Sequence, residues 1–166
     1  MSMLAIDPGP TRSGFVLLNE DNRVATSGVM LNGAVLAMLE HWPDPFTNLA
    51  IEMIASYGMP VGREVFETCV WIGRFQQAWE GEQPVSLVYR QTVKLHLCGN
   101  VRAKDQNVRQ ALLDLYPATG GGKVPQVGTK RQPGPLYGVS THAWAALGAA
   151  VTAKATRARA FCGAAE

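Results

Sequence analysis

Leu4-Ala5-Ile6-Asp7-Pro8-Gly9 and Leu49-Ala50-Ile51-Glu52 are the two stretches that decide the fold of this 166-residue chain. Each is a short apolar run that ends in one acidic side chain, and such runs predict buried strands. An ionised carboxylate at the end of a buried strand is costly unless it is paired or binds a cation. The pair therefore indicates two strand ends that meet around a metal ion. The simpler alternative is that Asp7 begins a turn and Glu52 lies at a solvated edge.

The composition is typical of a single globular domain covering residues 1–166. The chain is 47% hydrophobic and 17% charged, which excludes a disordered protein. The longest apolar stretch, Ala143–Ala153, is too short to span a bilayer, and no basic-then-apolar segment precedes Leu4. Cys69, Cys98 and Cys162 match neither a disulfide framework nor a zinc site. We therefore expect no membrane association and a cytoplasmic location.

Hydrophobic periodicity predicts five strands and four helices. The strands are Met3–Asp7, Ser13–Leu18, Arg23–Met30, Thr47–Glu52 and Val85–Tyr89. The helices are Ala34–Trp42, stopped by Pro43 and Pro45; one marked by Val65, Cys69, Ile72, Phe75 and Trp79; one capped by Asp105 with Val108, Ala111, Leu112 and Leu115 on its apolar face; and one capped by Ser140 that carries Trp144, Leu147 and Val151. This order predicts an α/β fold, a mixed sheet flanked by helices.

The segment from Pro117 to Val139 differs from the rest of the chain. It is rich in Gly and Pro, carries Lys123, Lys130 and Arg131, and contains no acidic residue. A long segment without regular structure inside a compact domain is usually functional or disordered. We expect a flexible basic loop, and the alternative is a solvated linker.

Several motifs together resemble those of a known family. Its first two acidic motifs are matched by Ile6-Asp7-Pro8-Gly9 with Ser13-Gly14-Phe15, and by Ile51-Glu52. A later segment is matched by Val88-Tyr89-Arg90-Gln91-Thr92-Val93-Lys94, Cys98-Gly99-Asn100 and Ala103-Lys104. The chain thus resembles the RuvC-like Holliday junction resolvases of the ribonuclease H-like nuclease superfamily. Residues 52–59 and 71–75 are most similar to the phage-encoded branch.

The resemblance implies a ribonuclease H-like, mixed five-stranded sheet and a metal-dependent hydrolase. In that family Asp7 and Glu52 would hold two Mg²⁺ ions, for which Mn²⁺ can substitute, and these activate water for attack on a phosphodiester. Lys104 matches a family lysine that neutralises the scissile phosphate. A homodimer is also implied, because a four-way junction has two-fold symmetry and paired nicks need two active sites.

The terminal helix departs from the family pattern. That pattern is an acid or His, then two residues, then Asp, so that both ligands lie on one helix face. Here His142 matches the first position, whereas Ala145 stands where the last carboxylate is expected. Ala145 is open to three explanations: an inactivating substitution, a naturally trimmed site, or a shifted register. His142 could coordinate metal or position water, or be an ordinary histidine at a helix start.

Three functions remain open on the sequence. The first is a structure-selective DNA endonuclease that resolves branched DNA. Its Tyr57-Gly58-Met59-Pro60 turn would present Tyr57 or Met59 as an apolar wedge, or is an ordinary strand-to-helix connection. Its phosphate contacts would come from basic residues in loops: Lys94, Arg102, Lys104, Lys123, Lys130 and Arg131. The second is a junction-binding protein that does not cleave, which Ala145 supports. The third is a nuclease for RNA–DNA hybrids or flaps.

Overall fold

The central sheet combines a three-stranded meander with two parallel strands. The computed structural model describes residues 1–41, 48–81 and 83–163. Its strands are β1 (Met3–Asp7), β2 (Arg12–Leu18), β3 (Val24–Leu31), β4 (Leu49–Met53) and β5 (Ser86–Tyr89). They lie in the order β3-β2-β1-β4-β5, with β1, β2 and β3 antiparallel and β4 and β5 parallel to β1. The mixed five-stranded sheet predicted from the sequence is confirmed.

Five helices accompany the sheet in the described part of the chain. They are α1 (Asn32–His41), α2 (Arg63–Gln77), α3 (Arg90–Cys98), α4 (Asp105–Asp114) and α5 (Ala143–Gly163). Helix α3 is the one that the sequence analysis did not predict. Gly99, which adopts the left-handed conformation at φ 64° and ends α3, is the signal that could have revealed it. No helix among the described residues is long and apolar enough to cross a membrane.

Alternating side chains of β1 and β4 build a separate core on each face of the sheet. Met3 and Ala5 belong to the core formed with α3, α4 and α5. Leu4 and Ile6 belong to the core formed with α1 and α2. Helix α5 packs across β1, β2 and β4, and it is largely buried from Ala143 to Ala153. Asp7, which follows Ile6, therefore points to the face of the sheet that α5 covers.

Two predicted apolar faces are shifted in the structure. In α2 Ile72 and Phe75 are buried as predicted, but Thr68 is buried in place of Cys69, which is exposed. Thr68 can be buried because its hydroxyl donates to the Glu64 carbonyl oxygen at 2.7 Å. In α4 Leu113 is buried, whereas Leu115 lies beyond the end of the helix and is 57% exposed.

The predicted helix starts also need correction. Lys104, not Asp105, is the residue that precedes α4, and its backbone N–H donates to the Asn107 side chain at 3.0 Å. Helix α5 begins at Ala143 rather than just after Ser140. The predicted boundary residues Trp42, Pro43, Pro45 and Thr47, and the side chain of Cys162, lie outside the described residues.

The basic segment 117–139 contains no helix or strand, but it is closely folded. Gly128 forms a bridge with Pro133, and a Cβ atom on Gly134 would lie 2.2 Å from the Pro125 carbonyl oxygen. Such a backbone approach leaves space for glycine only. Leu136 is fully buried and anchors the segment to the core. The prediction that the segment moves without DNA stays a prediction.

Candidate active site

Asp7 and Glu52 lie side by side at the carboxyl ends of two parallel strands. In the β1–β4 register Ile6 is opposite Ile51, so the next residues of the two strands are neighbours. Both point to the α5 face, because they continue the alternation of Ala5 and Ala50. The side chains of Asp7 and Glu52 are 17% and 13% exposed. The fold therefore brings the acidic ends of β1 and β4 together, as the sequence predicted.

Burial makes ionisation of these two carboxyl groups unfavourable. It raises the pKa of Asp7, although the neighbouring His142 and Arg90 oppose that shift. Burial, with a further contribution from the charge of Asp7, raises the pKa of Glu52 to about 7. Glu52 Oε2 is buried and has no hydrogen-bond partner among the residues that the structure describes. A cation between the two groups would satisfy this oxygen and stabilise both charges.

His142 contacts Asp7 from the start of α5. Its Nδ1 atom lies 3.0 Å from Asp7 Oδ2, and its carbonyl oxygen accepts the first hydrogen bond of the helix, from Ala146. The preceding Thr141 has φ 38°, an unfavourable left-handed conformation for a β-branched residue. An Nδ1–H donated to Asp7 leaves the lone pair on Nε2, and the ring is 70% exposed. His142 is therefore placed to receive a proton or a metal ion.

Gly14 makes the approach of His142 possible. It pairs with Asp7 in the β1–β2 ladder. A Cβ atom on Gly14 would lie 2.5 Å from the carbonyl carbon of His142, so any other residue would push the start of α5 away. The glycine belongs to a motif that the sequence analysis quoted, but its steric role required the position of α5.

A buried polar network holds the turn that follows Asp7. The Ser13 hydroxyl donates to Asn32 Oδ1 at 2.7 Å, and Asn32 Nδ2 donates to the Gly9 carbonyl oxygen at 2.9 Å. Ser13 and Asn32 are both almost fully buried. This network fixes the end of β1 in place, and no local sequence signal joins Ser13 to Asn32.

Arg90 is the main site residue that the sequence analysis missed. It opens α3 directly after β5, and its Nη1 atom lies 3.8 Å from Glu52 Oε1. Its Nη2 atom donates to Asp105 Oδ1 at 2.8 Å, and Lys94 Nζ lies 3.9 Å from the same oxygen. Because β5 is parallel to β4, a residue just past its end reaches the same edge of the sheet. That topological argument could have identified Arg90.

An open groove of about 690 Å³ leads away from His142, between α4 and the start of α5. Ala145 lies in its wall, so position 145 faces the same space as His142. Arg109 stacks on Trp144, with its guanidinium carbon 4.7 Å from the ring centroid. The groove is lined by Arg90, Asp105, Gln106, Val108, Arg109, Leu112, Thr141, His142, Trp144 and Ala145.

The other predicted site residues lie outside this cluster. The Lys104 side chain is exposed and forms no ion pair with any described residue. Tyr57, 50% exposed, lies in the turn between β4 and α2. The remaining predicted DNA contacts, Arg102, Lys123, Lys130 and Arg131, are exposed. Within the described residues, no three His, Cys, Asp or Glu side chains form a ready metal-binding group.

Solved structures of RuvC share this fold. The chain is similar to RuvC of Thermus thermophilus with a TM-score of 0.64, 20% identity and 92% of each chain covered. It is similar to the T. thermophilus RuvC in complex with a Holliday junction substrate with a TM-score of 0.65, 19% identity and 92% of each chain covered. No model of a protein family matches the chain, and no curated protein matches it by sequence. The chain has the RuvC-like fold that the motifs predicted, whereas the phage branch stays a prediction.

Proposed function

We propose that this RuvC-like chain is a metal-dependent, structure-selective endonuclease that cleaves four-way DNA junctions. The observation that carries the proposal is the buried Asp7–Glu52 pair, which leaves Glu52 Oε2 without a partner at the edge of the sheet. Two carboxylates that repel each other in a partly dry site favour a divalent cation strongly. The same fold in a RuvC bound to a Holliday junction supports this choice of substrate.

The donor set fits a hard cation such as Mg²⁺ or Mn²⁺. Asp7 and Glu52 would hold it, and when bound it would supply an activated water and positive charge at the phosphate. His142 would take up a proton at Nε2 or add a nitrogen ligand, while its Nδ1 keeps Asp7 oriented. Two carboxylates supply enough oxygen ligands for one metal ion but too few for two, so the two-ion arrangement rests on the resemblance alone.

Phosphate contacts from exposed basic loops support binding of branched DNA. Lys123, Lys130 and Arg131 project from the folded segment 117–139 and have no ion-pair partner among the described residues. Such contacts give affinity without reading the base sequence. Arg102 and Lys104 extend the basic surface near α3 and α4, where Lys104 would neutralise the scissile phosphate. Lys94 lies on α3 and not in a loop as predicted, and its side chain is only 22% exposed beside Asp105, so it adds charge more than a free contact.

The turn after β4 supports recognition of a junction rather than a linear duplex. Tyr57 has φ 45° although it is not a glycine, and it is half exposed beside Gly58. Strain of this kind persists where a side chain must be presented in one direction. Tyr57 would act as an apolar wedge against an unstacked base at the branch point.

The outer face of α2 supports a homodimer. Phe66 and Val70 lie one turn apart and are 64% and 58% exposed, on the side opposite the buried Ile72 and Phe75. A two-fold pairing of this face would bury both side chains and bring two sites to one junction. We place this dimer in the cytoplasm of a bacterium or a phage-infected host.

Cleavage of a synthetic four-way junction tests the proposal. With Mg²⁺ or Mn²⁺ we expect slow, paired nicks near the branch point, little cleavage of RNA–DNA hybrids or flaps, and no cleavage by the Asp7→Asn variant. Preferred cleavage of hybrids or flaps would replace the junction as substrate. Binding of the junction without cleavage at any metal concentration would favour the non-cleaving function, for which the absence of an acid at position 145 is the supporting observation.

A further inference from the structure

Arg90 brings a fixed positive charge to the edge of the candidate active site. It is the first residue of α3, and Val88 of the preceding strand pairs with Glu52 across the sheet. The guanidinium group therefore sits beside the carboxylate pair, with its side chain 26% exposed. Its charge acts on both Asp7 and Glu52.

The two oxygens of Glu52 face different surroundings. Oε1 lies 3.8 Å from Arg90 Nη1, which is an ion-pair distance but too long for a hydrogen bond. Oε2 is buried without a partner and is the oxygen left for a metal ion. Glu52 thus has the Arg90 guanidinium on the side of Oε1 and space for a metal ion on the side of Oε2.

The described partners of Arg90 leave part of its hydrogen-bonding capacity unused. Its strong hydrogen bond goes from Nη2 to Asp105, whose side chain is 76% exposed at the start of α4. Its Nη1 atom is buried and has no hydrogen-bond partner in the described part of the chain. A guanidinium that served only as the counter-ion of Glu52 would direct its N–H groups at both carboxylates. Instead, Nη1 is left without an acceptor, and the 26% exposed side chain of Arg90 lines the groove from which a phosphate would approach.

We propose that Arg90 binds an oxygen of the scissile phosphate and acts as the second cation of a one-metal active site. The proposal rests on the proposed nuclease function.

In phosphodiester hydrolysis Arg90 would stabilise the negative charge on the phosphate and would transfer no proton. The water oxygen bonds to phosphorus, the bond to the leaving oxygen breaks with its electron pair, His142 Nε2 takes the water's proton, and the leaving oxygen takes a proton from solvent. Arg90 stays protonated throughout, and its planar fork suits two oxygens of a phosphate. Asp105 acts as a positioning residue that holds the guanidinium.

The test combines metal affinity with cleavage rate in the same variants. Arg90→Gln removes a positive charge beside a metal ligand, so the DNA-free protein should bind Mn²⁺ about tenfold more tightly at a pH above the pKa of Glu52 in both proteins, where protons do not compete. The same variant should cleave a four-way junction about a hundredfold more slowly in single-turnover assays at saturating Mn²⁺. Opposite changes in the two measurements are not expected of a residue that only supports the fold.

Two further variants complete the design. Arg90→Lys keeps the charge but loses the fork, so Mn²⁺ affinity should stay unchanged while cleavage slows by about tenfold. Arg109→Gln is the matched control for metal binding, since Arg109 lines the same groove but does not act on the pKa of Asp7 or Glu52. It should leave Mn²⁺ affinity unchanged.

Different results would contradict the role of Arg90 and the proposed nuclease function. Unchanged Mn²⁺ affinity in Arg90→Gln, or a wild-type cleavage rate in Arg90→Lys, overturns the role of Arg90. If Arg90→Gln does not fold, the cleavage rate of Arg90→Lys decides. If the unmodified chain cleaves no junction, hybrid or flap, the nuclease function fails, and unchanged Mn²⁺ affinity in Arg90→Gln would still independently reject the cation position.

Discussion

Glu52 has the least favourable environment among the residues of the candidate site. It is removed from water and next to another carboxylate, and the Nη1 atom of Arg90, at 3.8 Å, is too far away for a hydrogen bond. Such a residue lowers the stability of the metal-free protein while increasing its affinity for a cation. The stability of the chain should therefore respond both to pH and to divalent metal.

The first prediction concerns pH. The pKa of Glu52 rises from 4.5 to about 7 on folding, so between these values the folded protein holds a proton that the unfolded chain has lost. The free energy of unfolding should consequently fall as the pH rises through this window, by roughly 3 kcal/mol at most. Glu52→Gln should remove most of this slope, and urea unfolding from about pH 5 to about pH 8 measures it. Equal slopes in the two proteins would show that the carboxyl group ionises freely.

The second prediction concerns Ala145. Because position 145 faces the groove next to His142, an acid there would add an oxygen ligand to a site that has only two carboxylates. We expect weak metal binding and slow cleavage in the unmodified chain, and faster Mg²⁺-dependent nicking in Ala145→Asp. Adding Asp7→Asn to that variant should abolish the gain. Vigorous cleavage by the unmodified chain would show that no ligand has been lost.

At the level of elements, the site depends on how α5 docks against β2. Gly14 and Thr141 show that this contact is close: one lacks a Cβ atom that would clash, and the other holds an unfavourable backbone angle. The segment 117–139, which leads into α5, is a second element whose closely packed backbone sets the position of its charges.

The third prediction tests the docking of α5. Gly14→Ala should displace the start of the helix, break the contact of His142 with Asp7 and slow cleavage by at least about tenfold. Junction binding should persist, because the basic loops are untouched. Gly33→Ala is the matched control, since a Cβ atom there meets nothing within 4 Å. If Gly14→Ala cleaves like the control, the approach of His142 to Asp7 is not needed.

The fourth prediction tests the basic segment. Replacing Lys123, Lys130 and Arg131 together with Ala should weaken junction binding and flatten its salt dependence by roughly one unit of slope per lost contact. Arg23→Ala gives the background effect of losing an exposed charge, because Arg23 follows β2 at the end of the sheet away from Asp7. Affinity and slope that match the Arg23 variant would make the segment a linker.

For the whole molecule, the proposed function requires two sites on one junction. The fifth prediction is that Phe66→Glu, which puts a charge into the outer face of α2, converts a dimer into monomers and reduces paired nicking more than binding. Sedimentation at several protein concentrations measures the assembly. A wild-type chain that is monomeric at every concentration would exclude the α2 pairing.

The sequence by itself determined the five strands and the two carboxylates that end β1 and lie near the end of β4. Apolar runs bounded by turn residues are local signals, and the alternation of side chains along β1 and β4 fixes which residues face each core. Once Asp7 and Glu52 ended neighbouring parallel strands, their proximity followed from the topology alone.

The tertiary structure alone decided the rest of the site. Arg90 reaches Glu52 only because β5 is placed beside β4, and Ser13 reaches Asn32 only because β3 folds back along β2. Cys69 and Leu115 fit an apolar pattern but are exposed, since a helix face is buried by what packs on it and not by its periodicity. Contacts between residues far apart in the chain carry no local signal, and these contacts set the charge, the burial and the geometry of the site.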